Sequence, residues 1–107
     1  MNAQTMLFKA EVKGEEGRTI LGLIGEINGQ ADAAMTAAYH EAEETSPSRI
    51  VLDFSQVDYI NSTGIALVVG LLAKARAAHS PLTAVGLSDH YREIFTITRL
   101  SDFIDIE

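Results

Sequence analysis

The chain has 107 residues, 15 of them acidic and 8 basic, for a formal net charge of −7 with histidine neutral. That length fits one compact domain over 1–107, a hydrophobic share of 47% supplies a core rather than disorder, and the absence of cysteine removes disulfides, thiolate nucleophiles and cysteine zinc sites. The acidic balance, with Lys9, Lys13, Arg18, Arg49, Lys74, Arg76, Arg92 and Arg99 scattered, argues against nucleic acid as a partner, and the most apolar stretch, Ile65 to Ala73, is half the ~20 residues a bilayer requires.

Met6, Phe8, Ala10 and Val12 alternate as one side of a strand over Met6 to Val12. No basic flank and long apolar run open the chain at Met1 to Phe8, so no secretory signal is read and a cytoplasmic location is expected. Gly14-Glu15-Glu16-Gly17 reads as a turn into a second strand, Arg18 to Ile24. An alanine-rich helix is predicted over Asp32 to Glu44, with Asp32 at the end where the helix dipole favours negative charge. After the break at Thr45-Ser46-Pro47-Ser48, the run Arg49 to Phe54 suits a strand covered on both faces, hence interior to a sheet.

Ser62 to Ala78 carries the strongest helical pattern, with Ile65, Val68, Val69 and Leu72 at i, i+3, i+4 and i+7 and Lys74 and Arg76 toward its C-terminal end. His79-Ser80-Pro81 breaks it. A fourth strand over Leu82 to Leu87, a helix over Asp89 to Thr98 and a short strand over Phe103 to Ile106 complete the chain. Strands alternating with helices predict an α/β (or α+β) fold, a mixed, partly parallel sheet of four to five strands with helices packed on it.

The informative segment runs from Asp53 to Gly64, between the interior strand and the strongest helix. Ser62 or Thr63 is the expected N-cap, its hydroxyl accepting a free backbone N–H. Gly64 removes a side chain beside that hydroxyl, which would let a foreign active site approach. A phosphate there would meet free N–H groups at the positive end of a helix dipole. An ordinary cap followed by a turn glycine fits the same residues.

Three pieces in order carry a family resemblance: Leu23-Ile24-Gly25-Glu26-Ile27-Asn28, Val51-Leu52-Asp53-Phe54-Ser55 and Ile60-Asn61-Ser62-Thr63-Gly64-Ile65. With these, nearly the whole chain resembles the STAS domain in its small single-domain form, the anti-sigma factor antagonist. The resemblance implies a SpoIIAA-like fold and a partner-switching role. The serine matching Ser62 would be phosphorylated by an anti-sigma factor that is also a serine kinase, with Thr63 as second candidate. The unmodified form would bind that partner and free its target, the phosphorylated form would let go, and a metal-dependent serine phosphatase would reset it. Asn28, Gly29, Gln30, Asn61, Thr63, Gly64 and Ile65 would form the contact surface. The family commonly has aspartate where this chain has Asn28 and Asn61. Two charges beside the acceptor are thus missing, which eases phosphate binding and alters what a kinase reads.

Leu67 and Leu71 project away from the Ile65/Val69 face, toward either a docking partner or, the expectation here, the helix at Asp89 to Thr98. Gly70 inside a helix suggests close approach of a neighbouring element. His40, His79 and His90 have no metal-ligand spacing, and Asp53 and Asp58 lack a base or nucleophile beside them. With no P-loop, dinucleotide fingerprint or nucleophile elbow, neither an enzyme nor a cofactor or metal is expected. Two rival readings stay open, an unphosphorylated interaction subunit of an ABC lipid transporter and a module that binds a nucleotide or other small ligand; a weak homodimer is also open.

Overall fold

Antiparallel pairing of β1 (Lys9–Glu15) with β2 (Arg18–Ile27) opens the fold in the computed structural model, which describes residues 8–45 and 47–107. Met6 and Leu7, at the start of the first predicted strand, lie outside the described residues. The hairpin is tighter than expected, because Glu15 pairs with Arg18 and only Glu16 and Gly17 turn. Both have positive φ, 48° and 84°, as a two-residue loop matched to strand twist requires.

A short 3-10 turn over Gly29–Ala31 leads into α1 (Asp32–Glu44), whose bounds match the sequence reading. β2 runs three residues past its expected end at Ile24, and the later strands also differ from their expected bounds. β3 (Arg49–Ile60) continues through the polar stretch Ser55 to Tyr59, because pairing with β2, through register shifts near Gly25, outweighs local composition. β4 (Leu82–Val85) stops before Leu87, because Gly86 turns at φ 75° against the Ser55 backbone. α2 (Ser62–Ala77), α3 (Asp89–Ile97) and β5 (Asp105–Ile106) complete the order; the last strand begins two residues later than expected.

The sheet order is β1-β2-β3-β4-β5, with the first pair antiparallel and the others parallel. Each helix is thus the crossover between two parallel neighbours, and β3 is central, as its apolar run indicates. Leu21, Leu52 and Ala84 share a face and join Met35, Tyr39, Val68, Leu72 and Phe95 of the helices in one core. Val51 and Thr83 are buried on the opposite face without joining it, so β3 is covered more fully on its helical side. Among the described residues no helix is long and apolar enough to cross a membrane.

Two packing expectations are corrected. Leu67 and Leu71 meet α1, not α3; they line a crevice with Asp32, Met35 and Thr36. α1 crosses from β2 to β3 and so lies on the β2 side of α2, the side that Leu67 and Leu71 face. Among the described residues nothing approaches Gly70 closely, since a Cβ there would have open space around it.

Tyr39 is almost fully buried and its hydroxyl has no hydrogen-bond partner among the described residues. Burial first, and then the Glu43 carboxylate, close enough to repel but not closed into a hydrogen bond, push its pKa up to about 12. The folded state therefore holds this proton more tightly than the unfolded chain. Stability present below pH ~10 is lost as pH rises toward 12. Tyr39→Phe is expected to remove that alkaline loss and, by deleting an orphaned hydroxyl, to raise stability at neutral pH by about 1 kcal/mol. Urea unfolding at pH 7 and pH 11 reads both effects.

Candidate functional site

Parallel strands β2 and β3 end side by side, Ile27 opposite Ile60, and the chain leaves both at the carboxyl edge of the sheet, where open α/β folds place their sites. The backbone joins the two exits directly, since the Asn61 N–H donates to the Ile27 carbonyl at 3.2 Å.

Asn61 caps α2, not Ser62 or Thr63. Its backbone is extended (φ −87°, ψ −179°), its Oδ1 accepts the Gly64 N–H at 2.8 Å, and its carbonyl accepts the Ile65 N–H at 2.9 Å. A helix that begins at Ser62 takes the preceding residue as its cap, and asparagine serves as well as serine or threonine. Asn61→Ala is expected to cost about 1 kcal/mol, read as a lower urea midpoint.

Ser62 and Thr63 occupy the first two helical positions with exposed side chains, their hydroxyls free of capping duty. Their N–H groups have no carbonyl within the helix to bond. A strong nucleophile is not built here; a hydroxyl is presented to solvent beside two free donors and the positive end of a 16-residue helix.

Gly64 is buried rather than open to an incoming active site. A Cβ there would overlap the Ile27 carbonyl oxygen and lie 2.8 Å from the Ile27 carbonyl carbon and 2.9 Å from Ile60 Cγ2. Its role is to let α2 start against the end of β2. Ile65 is half-buried and packs on the core.

The other expected residues gather. Gly29 and Gln30 are exposed, and a Cβ on Gly29 would touch Thr63 Cγ2 at 3.5 Å. Asn28 caps the 3-10 turn, its Oδ1 accepting from the Gln30 N–H at 2.9 Å while its amide donates to Glu26 Oε1 at 3.1 Å. The Asn28 amide thus gives Glu26 a donor that an aspartate in its place would lack. An open groove of about 850 Å³ runs from Gly29 and Gln30 along α1 to His40 and Glu43. It skirts the site without enclosing it. Among the described residues no group of three or more histidine, aspartate or glutamate side chains could hold a metal ion.

The sequence reading missed Tyr91. From α3 its hydroxyl accepts the Ile60 N–H at 2.9 Å and donates to the Ile60 carbonyl at 3.3 Å, one residue before the Asn61 cap. One tyrosine on a short amphipathic helix carries no sequence signal of such a contact.

Known proteins resemble the chain in sequence and in fold. A Listeria monocytogenes protein described as an anti-sigma-B factor antagonist is 38% identical over 85 residues, 76% of this chain and 75% of that one. The crystal structure of an anti-sigma factor antagonist from Mycobacterium paratuberculosis shares the fold at a TM-score of 0.78 and 20% identity, covering 94% of this chain and 85% of that one. The Bacillus cell fate determinant SpoIIAA in its phosphorylated form does so at 0.69 and 20% identity, over 94% and 91%. The family model described as "Mlab, STAS domain" matches residues 10–105, from the first strand to the last and through both exits that meet at Asn61. By that match and the 38% identity, the chain belongs to the STAS domain family.

Proposed function

We propose that this chain is an anti-sigma factor antagonist whose grip on a kinase-type anti-sigma factor is cancelled by a phosphate on Ser62. The observation that carries the reading is the exposed Ser62 hydroxyl at the first position of α2, left free by the Asn61 cap and flanked by exposed Gly29, Gln30 and Thr63. The relative described as an anti-sigma-B factor antagonist supports the partner class.

In the forward step the Ser62 oxygen attacks the γ-phosphorus of ATP held by the partner. The bond from that phosphorus to ADP breaks, and the serine proton passes to a base of the partner. The product carries roughly −1.5 to −2 additional charges, partly met by the Ser62 and Thr63 N–H groups. A serine phosphatase removes the phosphate by hydrolysis. The chain acts as the substrate and reporter of this cycle rather than as an enzyme, in the cytoplasm where ATP is available.

The test is intact and fragment mass spectrometry after incubation with the cognate kinase and ATP. One phosphate on Ser62, absent in Ser62→Ala, is the expected result; modification elsewhere, or none, overturns the reading. A second reading, a docking subunit that is never phosphorylated, draws on the exposed face of α2, where Ala66, Val69, Gly70 and Ala73 are uncharged. Stable co-purification with a partner that leaves Ser62 unmodified would establish it instead.

A further inference from the structure

β3 outruns its neighbour on one side. Its pairing with β4 ends at Asp53 opposite Val85, while its pairing with β2 continues to Ile60 opposite Ile27. Among the described residues the β4 side of the strand has no ladder partner beyond Asp53. In a parallel strand successive residues direct their N–H and C=O groups to opposite sides. The Asn61 N–H points to β2, where it bonds Ile27, so the N–H and C=O of Ile60 point to the side that β4 has left. Ile60 is only 5% exposed, and two unpaired backbone groups buried there would be costly.

One phenol fills both vacancies. The Tyr91 hydroxyl accepts the Ile60 N–H and donates to the Ile60 carbonyl, using a lone pair and its proton in place of the missing strand. α3 is oriented for this by Ser88, whose Oγ accepts the Tyr91 N–H at 3.2 Å. The clamped residue immediately precedes the cap that sets the start of α2, and Ser62 follows that cap.

We propose that Tyr91 is a positioning residue for the switch: its hydroxyl acts as a surrogate strand that holds Ile60, and through Asn61 fixes where the Ser62 hydroxyl is presented. This rests on the reading of Ser62 as the phosphate acceptor, while the clamp itself can be read without any partner. α3 is thereby coupled to the site, so a contact on α3 would reach Ser62 through a single hydroxyl.

Tyr91→Phe deletes that hydroxyl and keeps the ring. Native-state amide exchange by NMR is expected to show the Ile60 N–H, then without an acceptor, exchanging more than about tenfold faster, well beyond any change at Leu21 in the hairpin half of the sheet. Phosphorylation by the cognate kinase is expected to lose about tenfold in kcat at unchanged KM, because the docking face is intact while the acceptor oxygen wanders. A merely structural loss lowers the folded fraction of this protein substrate, raising apparent KM and leaving kcat alone. Unchanged Ile60 exchange overturns the clamp, and a rise in KM alone overturns its role in positioning Ser62. If the wild-type chain takes no phosphate, the Ser62 reading fails and Ile60 exchange still decides for or against Tyr91.

Discussion

Gly64→Ala is expected to destabilise the chain by about 3 kcal/mol, although alanine is the better helix former by about 1 kcal/mol. The added methyl would overlap the Ile27 carbonyl oxygen and crowd Ile60, and both belong to backbone or core at the paired ends of two central strands. Neither can yield as a flexible side-chain tip could. The relief available is to lift the start of α2, which breaks the bond from the Gly64 N–H to Asn61 Oδ1 and shifts Ser62 with it. Stability and phosphate acceptance should therefore fall together. Gly70→Ala, in the same helix but with open space around its Cβ, should instead gain about 1 kcal/mol. Urea unfolding followed by far-UV circular dichroism reads the pair; equal midpoints would mean that helix propensity, not close approach, governs both glycines.

What the residues disclosed and what they concealed divide along a physical line. α1 and the start of α2 follow from local pattern, because alanine content, dipole charge and apolar spacing act within a few turns, and the bounds Asp32–Glu44 and the start at Ser62 emerged from them. The central place of β3 was likewise legible in its apolar run. Its polar tail was not, because Ser55 to Tyr59 are strand only through pairing with β2. At the site, the two motifs could be named but not joined. The bond from Asn61 to Ile27 and the approach of Gly64 to the same residue are tertiary contacts across more than thirty positions. Gly64 as a turn glycine and Gly64 as a packing glycine are written with the same letter. The choice of Asn61 over Ser62 or Thr63 as cap likewise depends on a backbone angle that all three residues can adopt. Tyr91 lay furthest from view, because its task exists only where β4 ends early.

Phosphate on Ser62 is expected to weaken binding to the anti-sigma factor by about a hundredfold, while Ser62→Ala binds within about twofold of the unmodified chain and accepts no phosphate. The asymmetry follows from what surrounds the oxygen. A serine at the first helical position loses little on truncation, because the cap belongs to Asn61 and the hydroxyl makes no hydrogen bond among the described residues. The phosphate is different. It would stand at the head of an exposed α2 face made of Ala66, Val69, Gly70 and Ala73, which carries no cation to pair with it until Lys74. In the free protein water and the two N–H groups hold it, so the fold need not change. Under a partner that water must leave, and the donors that remain cannot replace a full hydration shell. The chain already carries a net charge of −7, so long-range repulsion from any acidic partner surface grows as well. Calorimetric titration of the unmodified, phosphorylated and Ser62→Ala forms against the anti-sigma factor separates local desolvation from the long-range term. Desolvation predicts a loss that persists at high salt, because a buried charge is poorly screened, whereas pure repulsion predicts one that fades as the Debye length shrinks. Equal affinity of all three forms would take the switch away from Ser62.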